Sequence, residues 1–173
     1  MKSMVINTQI KTAISRKGMK QSQLAKKTNR ANSTINGYAN TEPAPIDAMA
    51  DIAEAMNDSL LSQDFANMGF GQFPSMNSDV FQDNVLSMEV IHGIEATERK
   101  SYKQAALIAV SKNKENLDKE DKEALWNYAM NFLDEIFIEL RYVISLLDLL
   151  DMSLMQAIKQ RRPLWVSKRY LKK

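Results

Sequence analysis

From Ile94 to Arg162 the chain contains neither glycine nor proline, so nothing in that stretch breaks a helix by backbone chemistry alone. Within it Leu125, Ala129, Phe132, Ile136, Leu140, Val143, Leu147, Leu150, Leu154 and Ile158 follow one another at steps of three or four. Nine steps cover 33 residues, about 3.7 residues per turn, which is closer to an eleven-residue repeat than to a heptad. An almost straight or slightly right-handed helix is expected. Trp126, Met130, Leu133, Phe137 and Ile144 widen the apolar stripe beyond a two-stranded seam. So wide a face needs partners on two sides, either residues 79–112 or a second chain. Phe132, Ile136, Leu140, Val143, Leu147, Leu150 and Leu154 are the expected oligomer interface of a homodimer or homotetramer. Asp151 can cap a separate final segment, so one helix or two stays open. A break is expected over 113–118, with Asp118 capping a new helix. Upstream, Ser78-Asp79 reads as an N-cap before Phe81, Val85 and Met88 at helical spacing.

The net charge of +2 hides a segregation of sign. Residues 1–41 carry eight basic side chains (Lys2, Lys11, Arg16, Lys17, Lys20, Lys26, Lys27, Arg30) and no acid. Residues 42–98 carry eleven acids and no Lys or Arg, and residues 99–173 carry fifteen bases and ten acids. A basic first quarter is what a phosphate-binding surface needs, because each cation near a phosphate releases condensed counterions. The same block read without a partner is a solvated basic face. The last fifteen residues hold Lys159, Arg161, Arg162, Lys168, Arg169, Lys172 and Lys173 without an acid, either a second nucleic-acid contact, a partner-binding strip or a solubilising end. There is no cysteine, which excludes a disulfide framework and any thiolate metal site and fits a cytoplasmic protein. Residues 1–20 show no apolar core of a signal peptide, and Ile136 to Leu150 is interrupted by Glu139, Arg141, Ser145 and Asp148. A soluble protein with no membrane partner is expected.

The first sixty residues read as short helices joined by brief turns. Asn7-Thr8-Gln9 starts the first, with Ile10 and Ile14 on one face, and Lys17-Gly18 ends it. Gln21 to Thr28 is the second, with Leu24 and Ala25 inward. Asn29-Arg30-Ala31 is a turn in which Asn29 can take the positive φ usually given to glycine. Asn32 to Asn40 is the third, buried through Ile35 and Tyr38. Pro43 and Pro45 precede a fourth over about 47–56. Gly69, Gly71 and Pro74 among Ser, Asn and Gln mark the division, giving a head over 1–61, a linker over 62–77 and a helical body over 78–173. Phe65, Phe70 and Phe73 argue that the linker docks somewhere.

Gln21 to Thr28, then Asn29 to Ala31, then Asn32 to Tyr38, have the proportions of a helix-turn-helix. Two helices that cross closely need a small residue at the contact, and Ala25 supplies it. The second must turn apolar residues inward and short polar ones outward to reach base edges. Together with Pro45-Ile46-Asp47 and Asp51 to Met56, the run QSQLAKKTNRANSTINGY resembles the Cro/phage-repressor (Xre) family over about residues 6–61. The resemblance implies an all-α chain with a lambda-repressor-like head and, behind it, a helical oligomerisation domain. It implies that Gln21 grips phosphate, with Lys20 and Arg30 nearby, that Asn32, Ser33, Asn36 and Gly37 read bases, and that Asn40 meets backbone phosphate. The sequence departs from the family pattern at Lys20 and Ala31, where Ser or Thr caps are common, and at Ala39 and Thr41, where Glu and Gly are common. With Ala31 unable to cap, Asn32 is a candidate cap for the third helix.

Catalysis finds little support. His92 is the single histidine, so a Ser/His/Asp triad has no spare base and no multi-histidine metal site exists. Glu89 and His92 match one Glu-x-x-His unit of di-iron bundles, without the second unit such chemistry needs. No GxxxxGK[ST] or GxGxxG loop occurs. No enzyme activity, cofactor or metal is expected. The expected function is a transcriptional regulator, a repressor of a phage, plasmid or conjugative element, that binds double-stranded inverted-repeat operators as a dimer or tetramer and is relieved by an antirepressor protein. The alternative is a helical partner-binding module of antitoxin or antirepressor-target type whose DNA binding is secondary.

Overall fold

The computed structural model describes residues 3–172. Lys2 and Lys173, counted above among the basic side chains, lie outside the described residues. The element order is β1 (Ser3–Met4), α1 (Asn7–Lys17), α2 (Gln21–Lys27), α3 (Asn32–Asn40), β2 (Ala44–Pro45), α4 (Ile46–Met56), α5 (Ser59–Phe70), α6 (Val85–Val110), α7 (Lys119–Asp148) and α8 (Leu154–Ser167). The protein is mostly helical, and the described residues fall into two units, 3–75 with 151–172, and 76–150. No described helix is long and apolar enough to cross a membrane.

The first unit closes around one apolar core. Ile6 and Ile10, Leu24, Ile35, Ile52 and Leu61 are fully buried, contributed by five separate stretches of chain. Burial of side chains of this size is worth about 1.5–3 kcal/mol apiece. The helices are short, so what ends each of them sets the crossing geometry. Gly18 closes α1 at φ 58°, and two asparagines do the same for α2 and α4, Asn29 at φ 52° and Asn57 at φ 50°. At the α2 corner the Arg30 N–H donates to Ala25 O and the Asn29 N–H to Lys26 O, the paired bonds that turn a chain out of a helix through a left-handed residue. Thr28 Oγ1 donates to Leu24 O at 2.9 Å and covers a further carbonyl.

Three features differ from the expected division of the chain. Residues 62–70, assigned to a linker, continue α5, whose Phe65 joins the head core. Asp58 caps that helix, accepting from the Leu61 N–H at 3.0 Å while Arg16 donates to both its oxygens at 2.8 Å. Residues 151–172, assigned to the body, group with the head. There α8 is capped by Ser153, not by Asp151, which takes a positive φ in the turn before it. Lastly β1 pairs antiparallel with β2, Ser3 opposite Pro45 and Met4 opposite Ala44.

The second unit is a hairpin of α6 and α7. Its first helix starts at the Asn84 cap, whose side chain accepts from the Ser87 N–H, and not at Ser78-Asp79. The expected break falls over 111–118, and Asp118 caps α7 as expected, in a reciprocal box with Asp121. The seam between the helices is largely ionic. Lys112 donates to both oxygens of Asp121 at 2.6–2.7 Å near the connection. Further along, Arg99 pairs with Glu135, donates to the Tyr128 hydroxyl at 3.2 Å and lies 4.7 Å from the Phe132 ring. At the open end Arg141 pairs with Asp83 and donates to Ser145 Oγ. Between these lies a small apolar cluster of Met88, Ile91 and Ile138, with Phe137 and Tyr142 against it.

Helical geometry then fixes where the expected stripe must go. At about 100° per residue, the seam residues Glu135, Ile138, Arg141, Tyr142 and Ser145 and the stripe residues Ile136, Leu140, Val143 and Leu147 lie on opposite sides of α7, with Phe132 on the flank, its ring against Arg99. Phe132 and Val143 are exposed, and Ile136, Leu140 and Leu147 are half-buried or better covered. Leu150 is exposed just past the end of α7, and Leu154 is the first residue of α8 in the other unit. The expected interface is therefore not one continuous helix face. The stripe stops at Asp148, where α7 ends.

Asn29 and Glu95 give the fold two tests. Asn29→Gly should leave thermal stability within a few tenths of a kcal/mol, whereas Asn29→Val, β-branched at a positive φ, should lower it by about 1–2 kcal/mol or more by chemical denaturation. Burial holds the Glu95 carboxyl above its usual range, helped by the nearby Asp134 and Glu98 carboxylates. A carboxyl raised in the folded state costs stability once the pH climbs through its unfolded value towards its folded one. Glu95→Gln should therefore raise Tm at neutral pH, and the gain should vanish near about pH 3, where the carboxyl is neutral folded and unfolded alike.

Candidate nucleic-acid interface

The α2 corner decides what α3 can offer. Ile35, Tyr38 and Ala39 hold one side of α3 in the core, which leaves Asn32, Ser33 and Asn36 exposed on the other. Ala31 is the N-cap and supplies no side-chain acceptor. Asn32 does not serve as the cap; it is the first helical residue, and no side-chain bond engages it or Ser33 among the described residues. The first turn of α3 thus presents two unengaged polar side chains and N–H groups left over by the missing cap. That combination suits hydrogen bonding to base edges or to phosphate.

The other expected residues are placed less uniformly. Gln21 is the first residue of α2, half-buried, and its side chain is likewise unengaged. Lys20 caps α2 through its backbone, its N–H donating to Gln23 Oε1 at 2.8 Å while its side chain stays exposed. Asn36 is exposed, but its Oδ1 accepts from Asn40 Nδ2 at 3.2 Å. Asn40 also donates to Asn36 O at 2.8 Å, so its amide is spent within α3. Gly37 is half-buried, and the Glu42 carboxylate fills the space that a Cβ there would need. A base could approach Gly37 only after that flexible side chain swings away.

Arg30 is not a free cation. Its Nη2 donates to Asp51 at 2.6 Å and lies 3.7 Å from Asp47, both on α4. The bond to Asp51 outweighs the cost of burial and raises the Arg30 pKa still further above its usual value. Arg16 is committed to Asp58, and Lys27 donates to Ala55 O at 3.4 Å. The acid-free opening block is thus partly paired with the acidic block after it. Lys11, Lys17, Lys20 and Lys26 remain exposed with no ion-pair partner among the described residues.

Sequence reasoning missed the contribution of α8. Asn57 Nδ2 donates to Gln156 Oε1 at 3.1 Å, Ser153 Oγ donates to Asn57 Oδ1, and the Leu154 N–H donates to Ser59 Oγ at 2.9 Å. Lys159, expected in a basic tail, pairs with Glu54 at 2.9 Å. Nothing in local periodicity announces contacts between residues nearly a hundred positions apart. The histidine motif resolves into hairpin packing: His92 stacks on Tyr142 at 5.9 Å between ring centres and lies 3.7 Å from Glu139. Comparison of the chain with protein-family models, with curated proteins and with solved structures found no match.

The Arg30 geometry carries its own test. A double-mutant cycle on Arg30→Ala and Asp51→Ala should return a coupling of about 0.5–1 kcal/mol by denaturation in the absence of DNA, shrinking in high salt. A coupling of zero would mean that Arg30 is free to meet phosphate.

Proposed function

We propose that this protein is a sequence-specific DNA-binding regulator, a repressor of a phage, plasmid or conjugative element acting in the cytoplasm. It sets the exposed start of α3 into the major groove. The observation that carries the reading is the pair Asn32 and Ser33. They are short, exposed and unengaged at the first turn of a helix whose opposite side is locked into a core behind a left-handed corner. The arrangement of α1 to α5 around α2 and α3 supports a phage-repressor-like head, in line with the resemblance of the sequence to that family. Gln21 and Lys20, at the start of α2, take the phosphate contacts that fix the register. Asn36 reads a base once Asn40 releases it, and Gly37 plays a smaller part than the resemblance implies.

One head of this size reads only a few base pairs, so pairing of heads is needed for useful affinity. The outward side of α7, through the exposed Val143 with the half-buried Ile136, Leu140 and Leu147 beside it, supports pairing of chains as a homodimer or homotetramer. Operators are then two inverted half-sites with centres about one helical turn, or a multiple of it, apart. The uncovered faces of the hairpin also suit a partner protein such as an antirepressor. A body that forms a stable homo-oligomer without any partner would count against a purely partner-binding role.

Affinity and discrimination separate the roles. Asn32→Ala and Ser33→Ala should each cost about 1–3 kcal/mol against the preferred site and little against random duplex. Gln21→Ala should weaken both alike. If two heads place all four unpaired lysines on phosphate, log K should fall against log salt with a slope no steeper than about −7. Wild-type discrimination in the Asn32 and Ser33 variants, measured by competition binding, contradicts the assignment of α3.

A further inference from the structure

We propose that the outer face of α6 is a second self-association surface, on which another copy of this chain lays its own α6 antiparallel across a twofold axis near Thr97. The face is the side of α6 turned away from α7. It carries Leu86, Val90, Ile94 and Ile108, which are 74%, 57%, 58% and 54% exposed. Between them runs a shallow groove along Val90, Gly93, Ile94, Thr97 and Ser101, with Glu98 on its rim. The two hydroxyls in this groove are satisfied within the helix: Thr97 Oγ1 donates to Gly93 O at 2.8 Å and Ser101 Oγ to Glu98 O at 2.6 Å. The face therefore offers mainly apolar surface, with the exposed Gln104 and Glu98 as its polar groups, and small side chains at its centre allow two helix backbones to approach closely.

Charge identifies the occupant. The acids of α6, Glu89, Glu95 and Glu98, all precede its bases, Arg99, Lys100 and Lys103, and the sign changes at the midpoint of the helix. Arg99 is committed to Glu135 in the hairpin seam, and Glu95 is half-buried. Glu89, Glu98, Lys100 and Lys103 remain exposed. A helix so divided is complementary to its own reverse. Antiparallel pairing about Thr97 sets Leu86 of one copy opposite Ile108 of the other, since each lies eleven residues from the axis. It also places Glu89 of one copy near Lys100 and Lys103 of the other on the same flank, and opposes the two helix dipoles. Glu98 is the exception: its two copies come close to the axis on the other flank and repel. This surface is separate from the α7 face proposed above for pairing, and the two together would make a tetramer.

The chain has no cysteine, so single introduced thiols report only contacts between copies. Under mild oxidation the full-length Thr97→Cys variant should convert mainly to a disulfide-linked dimer on non-reducing gels. Leu86→Cys alone should stay monomeric, and the double variant Leu86→Cys/Ile108→Cys should cross-link. Ile94→Glu, at an exposed position, should halve the mass seen in sedimentation without loss of helical signal, and Glu98→Gln should tighten pairing several-fold. Efficient cross-linking of Leu86→Cys alone would mean a parallel arrangement and would overturn the proposal, as would absence of any cross-link at Thr97. Neither result bears on DNA discrimination, which is read from the α3 variants.

Discussion

The head depends on a corner three residues long. Thr28 ends α2, Asn29 takes the left-handed conformation, and Arg30 bonds back to Ala25 while its side chain reaches Asp51 on α4. That corner fixes the angle at which α3 leaves α2, and the ion pair ties the turn to the helix behind it. With Ile35 and Tyr38 drawn into the core, the first turn of α3 has only one direction left for its polar side chains. The exposed edge is therefore a consequence of packing on the opposite side, reinforced by the absence of a capping side chain at Ala31. An asparagine at the corner serves this purpose at modest cost, because its short polar side chain tolerates the positive φ better than most residues other than glycine.

The hairpin follows a different logic. Most two-helix units turn apolar stripes toward each other and charges toward water. Here the seam holds three ion pairs, and substantial apolar area on both helices points outward. Buried or half-buried ion pairs contribute little net stability once desolvation is counted, but they penalise every register that would leave a charge unpaired. The seam thus sets how α6 and α7 align, and the outward apolar faces would supply the driving force for the proposed association between chains. Under that proposal the stability of the second unit would be coupled to oligomer formation.

Local chemistry makes the head legible in the sequence. The bounds of α2, α3 and α4, the positive φ at Asn29, the Gly18 stop and the inward-facing Leu24, Ala25, Ile35 and Tyr38 all arise from short-range patterns of capping and period. The linker is misplaced because Gly69, Gly71 and Pro74 signal a break that comes only after α5 has docked Phe65. The division of the stripe is hidden because α7 and α8 keep the same apolar spacing across a turn, and periodicity does not register a change of direction. The composition of the hairpin seam is not legible at all. A pattern of apolar residues names an amphipathic face without saying whether a partner helix or a second chain covers it. Likewise the eight-to-none charge bias of the opening block suggests a uniform cationic surface, whereas Arg16 and Arg30 are held by Asp58, Asp47 and Asp51 from the neighbouring acidic block.

The proposed function rests on a short polar edge of α3 that would distinguish one duplex from another. Selection of bound fragments from a pool of random duplexes by the full-length protein, at moderate ionic strength, tests this without any assumption about the operator. The account predicts recovery of a recurring motif with two inverted halves, and its loss when Asn32 and Ser33 are both replaced by alanine. Recovery of fragments with no shared sequence, at an affinity that varies only with length and salt, would contradict it.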